Sequence, residues 1–419
     1  MKKDKVDVLV IGAGPAGSVA ASILNQAALK VRVVEKARFP RFVIGESLLP
    51  RCMEALEEAN LLEAVRQKNF QGKFGAKFLR GEGEVADYIF SDQFTKGWSW
   101  TWQVPRADFD TTLADEIQRQ GVQVDFETGV TSIQFNDGEK SVTTVQKKDN
   151  TTEEIAADFI VDASGYGRVI PRLFKLEKPA TLDPRMAVFA HVKDTHRDSF
   201  DEPNRIIIVV CAPGVWAWII PFSNGNTSVG IVGSHDFFAG YEGDLTGQFK
   251  MLVLGVPYLK KRFGDAPLVF GPQKLESWSS ISEKFYGNGF VLTGNVTEFL
   301  DPIFSSGVMF ATVSGHLAAK LVIRKLEGQS VDWQNDYSNV LQRGVDTFRS
   351  FVTSWYDGTL EKIFFTHEPD ALIKSQVTSV LAGYVWDTDN PFVSNPDLAL
   401  KNLVKRIDAR NRFTASQNG

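Results

Sequence analysis

An α/β fold, with an antiparallel sheet interleaved into it and a helical C-terminal lobe, is predicted by three observations. An apolar run of strand length near the N-terminus opens at once into a glycine-rich turn and a helix pattern. The middle of the chain is β-rich with a clear hairpin turn, and from about residue 331 the pattern becomes helical.

Residues 6–11 are apolar except for Asp7, the unbroken hydrophobicity of a parallel strand buried on both faces. Over residues 15–28, Ala16, Ala20, Ala21, Ile23 and Leu24 read as one helix, and residues 31–34 form a second strand that ends at Glu35. That is a compact βαβ unit. A helix is expected over residues 108–120, followed by short strands at 122–126, 130–135, 141–147 and 159–161. Strands at 205–211, 215–221 and 227–232, the last two joined through Ser223, Asn224, Gly225 and Asn226, predict an antiparallel sheet. Helices at 336–354, 373–381 and 397–410 make up the terminal lobe.

Composition narrows the function classes. With 419 residues, 43% of them hydrophobic and 23% charged, the chain has ordinary globular usage and room for two or three packed units. A net charge of -5 supplies no field for phosphate backbones, which argues against nucleic acid as a partner. Cys52 and Cys211 are the only cysteines, far apart and outside any CxxC spacing, as suits a reducing cytoplasm. The five histidines show no ligand spacing, so no metal centre is expected. No run approaches the ~18–20 apolar residues of a membrane-spanning helix.

The motif that carries chemistry is Gly12-Ala13-Gly14-Pro15-Ala16-Gly17, a GxGxxG that follows a strand and opens a helix. Gly12 permits the tight turn, Gly14 lets the backbone approach a pyrophosphate, and Gly17 lets helix pack closely on strand. The helix N-terminus then turns free N–H groups toward the phosphates. Glu35, at the end of the second strand with Lys36 beside it, stands where a carboxylate binds adenosine ribose hydroxyls. A Rossmann-like dinucleotide site follows, and FAD and NAD(P) both fit it.

Further motifs resemble those of the p-hydroxybenzoate-hydroxylase-like flavoproteins, a superfamily of monooxygenases, geranylgeranyl reductases and flavin-dependent halogenases. Gly45-Glu46-Ser47 is similar to that family's turn near the flavin, and Arg106 to the arginine that opens a helix beside isoalloxazine and pyrophosphate. Val130 matches the position whose backbone meets adenine, and Asp162, Ala163 and Gly165 the motif that closes the adenosine side. Gly294-Asn295, then Asp301-Pro302 with Ser305 and Gly307, resemble the turns on ribityl and pyrophosphate, Asn295 replacing the usual aspartate. The resemblance spans about residues 5–330 and implies FAD. It divides the chain into an FAD domain (1–70, 103–180 and 275–330), a substrate domain (71–102 and 181–274) and a lobe at 331–419.

Within the superfamily, Trp216-Ala217-Trp218-Ile219-Ile220-Pro221 matches the WxWxIP motif of the halogenases. Two tryptophans two apart on a strand share one face, and the resemblance implies that they wall the flavin off from organic substrate. Lys73, in a Lys-x-x-x-Lys-Phe stretch completed by Lys77 and Phe78, resembles the lysine that hands hypohalous acid to the substrate. Its neighbours Phe70, Phe74 and Phe78 are expected to dry it and lower its pKa. Ser306 and Gly307 are the implied halide site, for chloride or bromide. Tryptophan halogenases place a glutamate where this chain has Phe304, which points instead to a phenolic or pyrrolic substrate, in many relatives tethered to an acyl-carrier protein. Reduced FAD would come from a separate flavin reductase. The competing readings are a monooxygenase or reductase of the same fold, and a flavin-binding pathway protein that does not halogenate. The aromatic groups at Trp98, Trp100 and Trp102, and at Trp355 and Tyr356, line a cleft or pack core on either reading.

Overall fold

The computed structural model describes residues 4–81, 83–136, 140–367 and 370–417. Its backbone groups into two compact units: Met1–Asn69 with Val104–Thr181 and Ser279–Arg343, and Phe70–Gln103 with Leu182–Trp278 and Gly344–Gly419.

The first unit is built on the Asp4–Ile11 strand, which pairs in parallel with Val31–Val34 on one side and Thr152–Asp162 on the other. Val8, Leu9 and Val10 are fully buried, as a strand covered on both faces requires. Gln123–Asp125 and Phe290–Leu292 extend the parallel order outward. The Pro15–Gln26 helix starts with proline at its first turn, where the missing N–H costs nothing and the ring presets φ. Alanines and small residues then let it lie close to the sheet. The strand expected at 159–161 runs eleven residues, Thr152–Asp162. Its first half is held by antiparallel Ser141–Lys147 and its second by the parallel core, so partners rather than local pattern set its length.

A helix absent from the sequence-based expectation, Ser306–Leu326, packs along Pro15–Gln26. Contact is backbone to backbone: a Cβ on Gly315 would fall 2.4 Å from the Ala16 carbonyl oxygen. This is the one described helix with the length and composition to cross a membrane, but 67% of its apolar window is buried inside the protein, as in a core helix.

The second unit carries a seven-stranded sheet ordered Leu268–Glu276, Met186–Lys193, Asn226–Gly233, Val215–Pro221, Ile207–Ala212, Gly75–Arg80, Glu84–Ile89. Its pairings are antiparallel except that of Ile207–Ala212 with Gly75–Arg80. The expected turn joins Pro221 to Asn226. One face is covered by Leu245–Gly255 and Pro257–Phe263 through Phe249, Leu252, Leu259 and Phe263. Under that cover Asp194 binds the fully buried Arg262, Arg197 and Thr227, a charge cluster that meets the demand that buried ions be paired. The helices Thr359–Phe364, Ala371–Leu381 and Pro396–Gln417 belong to this unit.

Candidate active site

The glycine turn is shaped by contacts no side chain could survive. Gly12 has φ +101°, and a Cβ there would fall 2.6 Å from the Ala163 oxygen. A Cβ on Gly17 would fall 1.9 Å from the Gly12 oxygen. At Gly14 the same test meets only the Arg41 guanidinium, at 3.6 Å, so the backbone stays open to a ligand. Here the Pro15–Gln26 helix presents its first N–H groups, which lack intrahelical acceptors.

Two arginines stand beside that turn. Asp110, wholly buried, accepts from Arg106 Nε at 2.7 Å and Nη2 at 2.9 Å, and from Arg41 Nη1 at 3.0 Å. Arg106 also donates to the Ile44 oxygen at 3.1 Å, which ties it to the Gly45 turn. Both cations are thus fixed in orientation before any anion arrives. Arg41 and Asp110 lay outside the expected set; the Arg106–Asp110 spacing on one helix was the available signal. Ser47 is buried, and among the described residues its hydroxyl has no hydrogen-bond partner. An open glycine backbone, paired cations and an orphaned buried hydroxyl fit an anionic dinucleotide with a polar ring system.

The adenosine-side residues also converge. Glu35 accepts from Ala13 N at 2.9 Å and Ala37 N at 2.8 Å, while its carbonyl accepts from Thr128 N at 2.9 Å. That bond draws the strand bearing Val130 to Glu35 and Lys36; a Cβ on Gly129 would lie 3.8 Å from Lys36 Cγ. Asp162 ends its strand accepting from Ser164 N at 3.0 Å and Ile170 N at 2.7 Å, while burial pushes its carboxyl up against the pull of those donors. It shapes the Ala163–Gly165 turn through these bonds. Arg168, unforeseen in sequence, sits in the left-handed region at φ 44° and binds Glu177, Ser280, Ser282 and the carbonyls of Asn295 and Ile281.

The remaining turn meets the others around Gly45. Gly294 N donates to Ser314 Oγ at 2.7 Å, and its absent Cβ would touch Ala311 and Ala16. Asp301 accepts from Ile303 N and the Pro302 carbonyl from Ser305 N, each at 3.0 Å; Ser305, at φ 58°, occupies the position just before the Ser306–Leu326 helix. Positions for Cβ atoms on Gly45 and Gly307 would lie 3.8 Å from Val308 Cγ2 and from Asn295 Oδ1 respectively, so Gly45, Arg106, Asn295, Gly307 and Val308 border one small region.

In the second unit, strand Gln71–Lys73 pairs with Thr101–Gln103 and sets Lys73 opposite Thr101. Lys73 is only 3% exposed, and its ammonium lies 5.4 Å from the Phe90 ring centroid. The expectation that Phe74 dries this lysine fails: Phe74 alternates to the other side, folds over Gly72, and is 57% exposed against Trp100. Phe78 packs instead with Tyr88, Trp355 and Phe364. Lys77 is half-buried and ion-paired to Glu202.

Trp216 and Trp218 share a face of Val215–Pro221, with ring centroids 6.0 Å apart. Their indole N–H groups donate to Tyr356 Oη at 3.1 Å and Ser228 Oγ at 3.0 Å, and Trp218 lies flat over Gly230 of the neighbouring strand. Tyr356 therefore serves this wall, while Trp355 packs core; Trp98, Trp100 and Trp102 form an edge-to-face series that buries Trp102. Gln103, another residue missed in sequence, donates to the Pro221 oxygen at 2.5 Å and so ties the Lys73 hairpin to the end of the tryptophan strand.

Comparison with known proteins agrees with this geometry. The FAD binding domain family model matches residues 5–228. A 1H-pyrrole-2-carbonyl-[peptidyl-carrier protein] brominase of Pseudoalteromonas luteoviolacea is 30% identical over 91% of this chain and 93% of its own. Among solved structures, a flavoprotein/dehydrogenase from Cytophaga hutchinsonii is 54% identical with a TM-score of 0.95, covering 97% of this chain and all of its own. The flavin-dependent brominase Bmp2 is 26% identical with a TM-score of 0.83 over 97% of this chain and all of its own. The chain is an FAD-dependent enzyme of the FAD binding domain family and belongs to its flavin-dependent halogenases.

Proposed function

We propose that this protein is a cytoplasmic halogenase that uses reduced FAD from a separate flavin reductase, O₂, and chloride or bromide to halogenate an electron-rich phenolic or pyrrolic ring carried on an acyl-carrier protein. The observation that carries the reading is Lys73, a buried ammonium on a strand, in a chain whose relatives are halogenases.

FAD would be held by Gly12, Ala13, Gly14, Pro15, Ala16 and Gly17 with Arg41 and Arg106 at the phosphates, by Glu35, Lys36, Val130, Asp162, Ala163 and Gly165 at adenosine, and by Gly45, Glu46, Ser47, Gly294, Asn295, Asp301, Pro302, Ser305 and Gly307 near the ring system. When bound and reduced it supplies, with O₂, the two oxidising equivalents that turn halide into hypohalous acid. Backbone N–H groups at Ser306 and Gly307, at the start of a helix, would hold the halide. Trp216 and Trp218 keep organic substrate away from the oxidising centre. The Lys73 ammonium hydrogen-bonds the hypohalous oxygen, which orients the halogen toward the ring and stabilises the departing hydroxide. Ring C–H becomes C–X, and the released proton joins that hydroxide as water. With Phe304 where tryptophan halogenases carry glutamate, activation of the ring falls to the substrate's own hydroxyl or nitrogen.

The brominase from Pseudoalteromonas is named for a carrier-bound pyrrole, which supports the tethered form of the substrate. The test is mass spectrometry of reactions with FAD, a reductase, NADH and bromide, offering each phenol and pyrrole both free and carrier-bound. Brominated carrier-bound product is expected; bromination of the free rings alone would remove the carrier from the account.

A further inference from the structure

Within the second unit, Tyr88 and the C-terminal helices line a cavity of about 390 Å³, and none of its lining residues is assigned above to cofactor, halide or Lys73 chemistry. That lies within the range of small-ligand pockets, roughly 300–1,000 Å³. Its wall is apolar, formed by Ile363, Ile373, Val377, Leu403 and Ile407. Lys374, Arg406 and Arg410 also line it, against Asp370 as the one lining carboxylate among the described residues. Asp370 is already engaged, capping the Ala371–Leu381 helix by accepting from Ile373 N at 3.1 Å. Arg410 is anchored on Thr366 Oγ1 at 2.8 Å. Among the described residues, Lys374 and Arg406 have no ion-pair partner, and Lys374 lies 5.8 Å from the Tyr88 ring centroid.

Two cations with no ion-pair partner among the described residues line the same recess as an apolar wall, so uncompensated charge and unfilled hydrocarbon wall lie side by side. A ligand with one negative head and an apolar body relieves both costs. The floor is recessed: Val377 is 1% exposed and Ile407 7%, so it offers little surface to a docking protein but suits a small molecule that enters the cavity. Tyr88, whose phenol burial keeps protonated, is also part of the lining.

We propose that this cavity binds a small amphipathic carboxylate, with its hydrocarbon body on Ile363, Ile373, Val377, Leu403 and Ile407 and its head group between Lys374 and Arg406. The site is separate from the halogenation chemistry and stands or falls independently of it.

The experiment is isothermal titration calorimetry of the full-length, FAD-loaded protein with decanoate below its micelle concentration, compared with 1-decanol and with acetate. Saturable one-site binding of decanoate is expected, at least tenfold tighter than decanol and with no comparable binding of acetate. Arg406→Glu and, as a milder change, Lys374→Gln should each weaken decanoate about tenfold, with the melting temperature and FAD content unchanged. Absence of saturable decanoate binding, equal affinity for decanol, or unaltered affinity in both folded variants would overturn the proposal. So would binding of an acyl-carrier protein that Arg406→Glu abolishes in a protein with no affinity for decanoate.

Discussion

Gly14 and Gly17 lie three residues apart in one motif, yet the structure assigns them different physical limits, and alanine at each position separates cofactor binding from folding. At Gly17 a Cβ would stand 1.9 Å from the Gly12 oxygen, where ordinary contact begins at 3.4 Å, so the helix must withdraw by about 1.5 Å. The atom it meets is backbone, so no flexible side chain can yield. Overpacking of this kind costs about 1–3 kcal/mol and moves the helix N-terminus that faces the pyrophosphate. Gly17→Ala should therefore lose both thermal stability and FAD. At Gly14 the nearest atom to a Cβ is 3.6 Å away, on the flexible Arg41 side chain, and φ is an ordinary -72°. Gly14→Ala should leave the apoprotein as stable as wild type or slightly more so, because the unfolded chain loses freedom. Its methyl group would occupy the approach of the pyrophosphate and forfeit at least one charge-assisted hydrogen bond, worth about 1.5–3 kcal/mol, or about 10- to 100-fold in FAD affinity. Flavin fluorescence titration and calorimetric unfolding of the two apoproteins measure both quantities. FAD affinity within twofold of wild type in Gly14→Ala, or unchanged stability in Gly17→Ala, would refute this assignment of the turn.

Removing Asp110 leaves Arg41 and Arg106 without their shared carboxylate in a buried place, so Asp110→Ala should cost about 3–5 kcal/mol in urea unfolding of the apoprotein; a loss below about 1 kcal/mol would contradict the network. Glu153, held by Arg32 and Lys147, has its carboxyl lowered from 4.5 to about 2, chiefly by the Arg32 hydrogen bonds. A depressed folded value means a contribution that is complete above about pH 4.5 and lost as pH falls toward 2, about 1 kcal/mol after solvent screening. The stability gap between wild type and Glu153→Gln should thus be constant from pH 7 to 5 and narrow below pH 4.5, and a gap that widens in acid would reverse the sign of the argument. A Cβ on Gly230 would meet Trp218 Cζ2 at 2.2 Å, so Gly230→Ala should displace that ring, leave FAD affinity unchanged and lower the halogenated product formed per NADH consumed; unchanged product yield would show that the tryptophan wall has no such role.

The legible parts of the fold were those encoded within a few residues. The first βαβ unit could be read because Val6 to Gly17 carries strand, turn and helix signals in one continuous stretch, and the 141–147 strand and 223–226 turn for the same reason. What escaped depends on distant partners. The Ser306–Leu326 helix is interrupted by Gly307 and Gly315, residues that weaken a helix pattern locally but are needed for approach to Phe299 and Ala16. Arg41 and Arg168 look like surface charges in sequence, and only Asp110 in one case and the Asn295 and Ile281 carbonyls in the other give them positions. Lys73 shows both sides of this limit: its motif marked it, but Phe90, the ring that meets its ammonium, arrives from a separate turn, while adjacent Phe74 alternates away.

Bromide makes the delivery of oxidised halogen through Lys73 directly measurable. Reactions of wild type, Lys73→Ala and Lys73→Arg with FAD, reductase, NADH and carrier-bound pyrrole should be compared by mass spectrometry alongside FAD content and NADH consumption. Delivery through Lys73 requires a bromine isotope doublet from wild type, its loss in Lys73→Ala with FAD binding and NADH consumption retained, and partial product at most in Lys73→Arg. Undiminished bromination by Lys73→Ala, or oxygenated product that forms without halide, would contradict it.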